Sequence, residues 1–363
     1  MRRSTLAALL IFAAIVLYVV AWPVPIDPVA WEAPTDRGLT GVFDRNDLLR
    51  DVRAIDLGEH AGPEDVALGL DGFLYATTHG GKVLRISPGG RTVDVFAQPG
   101  GRPLGIEVDT DGSLLIANAV LGIQRISTDG VVSDVLTEID GTPLLYADDL
   151  AIARDGTIYL SEASTKFGAY ASGGTLEGSL LDILEHGGNG LVVEYKPDTG
   201  VARVIMDGLN FANGLAISDD QRYLLIAETG TYRIHRYWLQ GPHAGQSEIV
   251  IDNLPGFPDN INNGMNGRFW IGLTAPRKAV LDDYSAHPFI RKMMQRAPAI
   301  LRPKPDLSSH VIAITGDGEV LMNLQDPEAR FPMMTGVLET RTTLFLTTLM
   351  GNKLPYLVKE DLL

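Results

Sequence analysis

One short pattern recurs along this chain and limits what it can fold into. A pair of residues opens an alternating apolar stretch, a turn follows, and a second apolar run leads away. The copies are Glu64-Asp65 through Asp71-Gly72 to Phe73-Leu74-Tyr75, and Leu104-Gly105 through Asp111-Gly112 to Leu114-Leu115-Ile116. Asp148-Asp149 through Asp155-Gly156 to Ile158-Tyr159-Leu160 and Asn213-Gly214 through Asp220 to Tyr223-Leu224-Leu225-Ile226 come next. Asp259-Asn260 then runs through Asn266-Gly267 to Phe269-Trp270-Ile271, and a weaker copy from Thr335-Gly336 through Thr342 to Leu344-Phe345-Leu346. Asp-Gly and Asn-Gly supply the positive φ of tight hairpin turns. Third strands are legible at Val83–Ile86, Ile123–Ile126, Leu191–Tyr195 and Ile234–Tyr237. A serial array of small antiparallel sheets predicts an all-β, six-bladed β-propeller, because each sheet needs a neighbour to cover its faces.

The array occupies 49–363. Residues 1–22 differ in kind: Arg2 and Arg3 precede an unbroken apolar run from Leu6 to Trp22. A run of roughly 17 residues is long enough for a short membrane-spanning helix, and the basic flank would stay cytoplasmic. This predicts a single-pass membrane protein with its propeller on the non-cytoplasmic side. The alternative is a signal peptide cleaved after Val19-Val20-Ala21, giving a secreted or periplasmic domain. Residues 23–48, rich in Pro, Asp and Gly, read as a linker. Two insertions, Leu176–Glu185 and Lys278–Leu301, read as helical. The second mixes Phe289, Ile290, Met293 and Met294 with Arg291, Lys292, Arg296, Arg302 and Lys304. It reads as a lid over the channel, a membrane-facing patch or a helix covering a blade edge.

Several chemistries are excluded by composition. A net charge of −15 argues against a nucleic-acid partner. Without any Cys there is no disulfide, thiolate metal site or Cys nucleophile. Seven His stand in no HExxH-like spacing. No GxSxG elbow accompanies Ser161, His79 or His235. Gly80-Gly81 and Gly187-Gly188 are turns rather than phosphate loops, since no Lys-Ser/Thr helix follows.

The repeat heads carry the chemistry. In a propeller the inner strand of each blade lines the axis, so the residues that open it converge. The heads are Glu64, Leu104, Asp148, Asn213, Asp259 with Asn260, and Thr335. Converging buried carboxylates are costly unless a cation compensates them. Hard oxygen donors from Asp, Glu and Asn suit Ca2+ better than Mg2+ or a soft metal. Asp65 and Asp149, one residue on, hold a second calcium or instead cap strand ends and link blades through backbone amides. Tyr146, Phe211 and Phe257 flank the heads and form either an apolar substrate rim or ordinary blade packing.

Asn210-Phe211-Ala212-Asn213-Gly214-Leu215-Ala216-Ile217-Ser218, then Ala227-Glu228-Thr229, Arg233-Ile234 and Tyr237-Trp238-Leu239, resembles the strictosidine synthase-like proteins. So does Asn253-Leu254-Pro255-Gly256-Phe257-Pro258-Asp259-Asn260-Ile261, followed by Phe269-Trp270-Ile271. The likeness runs from about Leu57 onward. More distantly the chain is similar to paraoxonases and to gluconolactonases of the regucalcin type. The resemblance implies calcium at the propeller centre on Glu64, Asp148, Asn213, Asp259 and Asn260, with a second ion on Asp65 and Asp149. Asp148 stands where paraoxonases have Asn. The paraoxonase histidine pair falls on Leu104 and near Asn118, and the catalytic Glu of strictosidine synthases falls on or near Thr335, so both devices are missing. By resemblance to the lactonases, the expected activity is hydrolysis of a small ester or lactone, with Asp259 as general base and Glu64 second. A calcium-stabilised propeller that binds a ligand or protein without catalysis is the competing expectation.

Overall fold

The computed structural model describes residues 3–362; Arg2 of the basic pair lies outside them. The repeated unit builds six four-stranded antiparallel sheets. Blade 1 comprises Val66–Leu68, Leu74–Thr77, Val83–Ile86 and Val93–Ala97, and blade 2 Pro103–Val108, Leu114–Asn118, Gly122–Ile126 and Val132–Leu136. Blade 3 comprises Ala147–Ile152, Ile158–Glu162, Gly190–Lys196 and Val201–Leu209, and blade 4 Ala212–Ile217, Tyr223–Glu228, Arg233–Trp238 and Ser247–Ile251. Blade 5 comprises Gly256–Asn263, Phe269–Pro276, Ser309–Ile314 and Val320–Asp326. Blade 6 takes three strands from the C-terminal part, Met334–Glu339, Thr343–Thr348 and Lys353–Val358, and its outermost strand, Arg53–Asp56, from before blade 1. Asp56 pairs with Lys353 and Arg53 with Tyr356, so the ring is closed by main-chain bonds between distant segments.

Apolar side chains on alternate strand positions pack between neighbouring blades rather than in one central core. Leu225, Ile271 and Ile312 join blades 4 and 5, while Leu115, Leu150 and Leu160 join blades 2 and 3. The axis is thereby left to polar groups.

Five inner strands break register at their opening residues. The ladder skips between Pro103 and Ile106, Ala147 and Leu150, Ala212 and Leu215, Pro258 and Ile261, and Met334 and Val337. The skipped residues are the repeat heads. A bulge leaves them unpaired with the adjoining strand and redirects their side chains. Small residues let the blades close in here. A Cβ at Gly105 would lie 2.2 Å from Asp149 Oδ1, and one at Gly214 2.2 Å from the Ile261 nitrogen.

The helices are α1 (Arg3–Ala21), α2 (Ala169–Ser172), α3 (Thr175–Glu185), α4 (Ala279–Asp283) and α5 (Pro288–Arg296). The first insertion read as helical is α3, preceded by α2. The second is α4 and α5 followed by a 3-10 turn at Ala299–Leu301, with Tyr284–His287 breaking the run. Both insertions leave their blade between its second and third strands. Strands alternate in direction, so that end is also where the inner strands begin, and the helices lie over the channel entrance.

The segment read as a linker, 23–48, is strapped to this helical cap. Ile26 is buried. The Val29 nitrogen donates to the Glu185 carbonyl at 2.9 Å, and Trp31 stacks on His186 with centroids 3.9 Å apart. Arg291, buried in α5, donates to the carbonyls of Val29, Leu184 and Ser285. A Pro-rich linker makes few hydrogen bonds of its own; here its groups bond to the cap and, at Phe43, Asp44 and Asn46, to blade 5.

Candidate active site at the channel head

Glu64, Asp148, Asn213, Asp259 and Asn260 are all buried, and their interactions place them at one end of the channel. The Asn260 amide nitrogen donates to Glu64 Oε1 at 3.1 Å and to the Glu64 carbonyl at 3.2 Å. The Asn213 side chain lies against the Asp259 carboxylate and lowers it. Both amides keep an acceptor oxygen to spare. Asn213 Oδ1, Asn260 Oδ1 and Glu64 Oε2 are buried oxygens without a hydrogen-bond partner. Buried oxygens are rarely orphaned in this way.

The electrostatics point the same way. Burial, then Asp259 and Asp65, holds the Glu64 carboxyl well above the usual range, with Arg102 and the Asn260 bond acting against them. Burial, then Glu64, Asp259 and Asp149, raises Asp148 likewise. Asp259 is pushed up to about 7 by burial, against the lowering bond from Asn213. Three head carboxylates face one guanidinium, Arg102, and Asp65 and Asp149 add negative charge close by, so the ionised ring carries excess negative charge. A divalent cation would offset part of it. Among the described residues no group of three His, Cys, Asp or Glu side chains is gathered closely enough to hold a metal by itself. Any ion held here must therefore draw on the two amide oxygens and water.

Asp65 and Asp149 behave differently from their neighbours. Asp65 accepts the Val66 nitrogen and the Asn262 amide on Oδ1 and the Ile106 nitrogen of blade 2 on Oδ2. Asp149 accepts Leu150 on Oδ1 and Leu215 of blade 4 on Oδ2, at 2.8 and 2.7 Å. Asn262 links blade 5 to blade 6 in the same manner through the Val337 nitrogen at 2.9 Å. Of the two sequence readings, these contacts match the linking of blades through backbone amides. Asp149→Ala strands two buried amides and is expected to cost on the order of 2–4 kcal/mol in denaturant unfolding, while cation binding at the channel head persists.

A cavity of about 560 Å³ opens above the ring, its floor formed by Glu64, Asp148, Asn213 and Asp259. Tyr146, Phe211 and Phe257 line it while also packing within and between elements. Tyr146 meets Phe211 edge-on at 5.2 Å, and its hydroxyl donates to the Thr175 carbonyl at 2.9 Å, tying the floor to α3. Phe211 adopts φ 63°, an unusual conformation for an aromatic residue. Glu228 fixes it from below: Oε1 accepts the Asn210 nitrogen at 2.9 Å, and Oε2 meets Arg233 and His235 at 2.6 Å. Burial would raise Glu228, but the bonds to His235 and Arg233 hold it down at about 2.

Arg102 and His79 both line the cavity; the sequence reading gave Arg102 no role and set His79 aside for want of a nucleophile elbow. Arg102 is 7% exposed and its Nε is unpartnered. The available signal was one basic residue two positions ahead of a head in an otherwise acidic ring. Leu104 and Asn118 contribute no proton-transfer group: the Leu104 carbonyl accepts Thr77 at 2.7 Å, and Asn118 bonds Arg102, Gly100 and Gln124. The Thr335 hydroxyl donates to the Glu64 carbonyl at 2.6 Å and joins blade 6 to blade 1.

Residues 148–242 match the strictosidine synthase family, and residues 41–86 match the strictosidine synthase-like N-terminal region. Adipocyte plasma membrane-associated protein of Danio rerio is 30% identical over 353 residues, covering 90% of this chain and 82% of the relative. The chain belongs to the strictosidine synthase-like family. Protein strictosidine synthase-like 6 of Arabidopsis thaliana is 33% identical over 256 residues, 69% of this chain and 66% of that one. Two solved structures share the propeller. A gluconolactonase from Xanthomonas campestris superposes with a TM-score of 0.62 at 19% identity, covering 92% of this chain and 98% of its own. A calcium-binding regucalcin from Agrobacterium tumefaciens gives 0.58 at 13%, covering 84% and 93%. At such identities the likeness is one of fold. As a strictosidine synthase-like protein, this chain keeps oxygen donors at the channel head while Thr335 stands where the resemblance sets the synthase glutamate.

Proposed function

We propose that this strictosidine synthase-like protein is a calcium-dependent hydrolase of esters or lactones, tethered by α1 with its propeller on the non-cytoplasmic side. The observation that carries the reading is the set of three unpartnered buried oxygens, on Glu64, Asn213 and Asn260, in a ring of excess negative charge. Glu64, Asp148, Asn213, Asp259 and Asn260 would hold the ion, and their hard oxygens fit Ca2+. Bound there, calcium supplies Lewis-acid polarisation of a carbonyl.

The chain's own groups supply the rest. The cavity walls Tyr146, Phe211 and Phe257 take up an apolar acyl or aryl group and exclude water. Asp259, on the cavity floor, takes the proton from the attacking water. Burial raises its carboxyl to about 7 in the cation-free fold and a cation beside it lowers that value, which keeps turnover modest; Glu64 is the second candidate base. Arg102 presents N–H donors to an oxyanion from the cavity wall.

Leu104 and Thr335, which carry no titratable group, favour a second reading: a calcium-stabilised propeller that binds its ligand without turnover. An aryl-ester and lactone panel assayed on the full chain in detergent separates the two. Hydrolysis lost on chelation and restored by calcium supports the enzyme. Hydrolysis indifferent to chelator rules out the mechanism. A stabilising response to calcium with no hydrolysis supports the binding reading.

A further inference from the structure

The cavity does not open into free solvent on an arbitrary side of the ring. Its rim includes Pro25 of the strap, Leu176 of α3, Gln295 of α5 and the segment Arg302, Pro303 and Lys304. The same α5 holds the end of α1. Arg296 donates to the carbonyls of Trp22 and Val19, the latter at 3.2 Å, which caps the helix that is long and apolar enough to cross a membrane. None of the apolar stretch of α1 is buried against the propeller. Tyr18 in its last turn and Trp22 just past its end have ring centroids 5.5 Å apart, the aromatic pairing found where a spanning helix meets the headgroups.

That contact sets a level. If Trp22 sits at the interface, α5 sits there too, and the groups around it are suited to it. Phe289 is 54% exposed, Ile300 82% and Leu301 72%, with no protein element covering them. Residues 288–304 hold Arg291, Lys292, Arg296, Arg302 and Lys304 and no acidic residue, in a chain of net charge −15. Arg291 and Arg296 are buried in the cap and Lys292 pairs with Asp27 at 2.6 Å, which leaves half-buried Arg302 and exposed Lys304 as the basic groups of this face. Exposed bulky apolar residues amid basic ones describe a surface for the boundary of an anionic bilayer.

We infer that the α5 face, with Phe289, Ile300 and Leu301 leading, docks on an anionic lipid surface and holds the cavity mouth against it. Substrate then enters from lipid, and the ligand class is a membrane-partitioned amphiphile with an apolar chain. The inference rests on reading α1 as an anchor and is independent of whether the ring catalyses.

The chain has no Cys, so one introduced thiol reports from one place. Full chain with Ile300→Cys, labelled with an environment-sensitive fluorophore, is reconstituted in vesicles of phosphatidylcholine with phosphatidylserine and floated on a density gradient. The comparison is Val131→Cys, exposed on a turn between third and fourth strands and so on the opposite face of the ring. Docking predicts that the Ile300 label is quenched by lipid-borne nitroxides and shielded from aqueous iodide about fivefold better than the Val131 label, less so without phosphatidylserine. A chain that floats with both labels equally open to iodide overturns the docking and leaves the anchor standing. A label shielded from iodide yet untouched by lipid nitroxides means protein covers the patch, and overturns it as well. A chain that fails to float overturns anchor and docking together, and equal shielding without phosphatidylserine overturns the anionic-headgroup part.

Discussion

Removing divalent cations should lower the melting temperature of this protein by about 6 °C relative to protein saturated with calcium, at pH 8. A ligand at a thousand times its dissociation constant stabilises by about 4.1 kcal/mol, and a domain of this size loses on the order of 0.7 kcal/mol per degree near its midpoint. The size of the effect should depend on pH. Burial raises Asp259 to about 7 and Asp65 to about 6 in the cation-free fold, above their values in an unfolded chain. Folding therefore favours the protonated groups. Their contribution to stability is complete below about pH 4 and is lost as pH climbs through 6 and 7. Cation-free protein should thus melt higher at pH 5 than at pH 8. Calcium binds the ionised ring, so its stabilisation should grow from pH 5 to pH 8 and close that gap. Differential scanning calorimetry at the two pH values, with calcium, magnesium and chelator, reads all of this. A melting temperature indifferent to calcium at pH 8 would remove the cation from the account.

Asp259→Asn should reduce kcat for ester or lactone hydrolysis by about 10²–10⁴-fold, the span that a positioned general base contributes. The substitution keeps the side-chain volume and leaves an oxygen to accept the bond from Asn213, so the fold should survive. Because Asp259 also belongs to the ion-holding ring, the assay must be run across a calcium titration. A fall in kcat that persists at saturating calcium assigns Asp259 to proton transfer; a fall that calcium fully rescues reduces it to a ligand. Asp148→Asn is the matched comparison. It removes one negative charge from the same ring without touching the proposed base, and should weaken calcium binding while leaving kcat close to the parent value.

The ring of blades was legible because its signal is repeated: one strand–turn–strand phrase with its turn chemistry defines a unit that cannot bury its faces alone. The repeated heads gave the channel residues for the same reason. What periodicity could not convey was anything made once. Arg53–Asp56 matches no repeat because it is a single strand completing a distant blade. Residues 23–48 read only as a linker because their partners, such as Arg291 and Glu185, belong to insertions with no counterpart in other blades. Asp65 and Asp149 left two readings open in sequence, since a carboxylate that accepts backbone amides and one that binds an ion are spelled identically. Arg102 stood outside the pattern because the repeat heads are marked by oxygen donors, whereas the ring also holds positive charge.

The manner of closure carries a temporal consequence. Blade 6 is complete only when Arg53–Asp56, among the earliest parts of the propeller to be synthesised, meets Lys353–Val358, among the last. The Glu64 carbonyl likewise waits for the Thr335 hydroxyl. Neither contact can form until Lys353–Val358 has been made and is free to pair. Chains interrupted before Thr335 would be open arcs with a strand edge bare at each side, prone to pairing with one another, and none of them would have a closed channel.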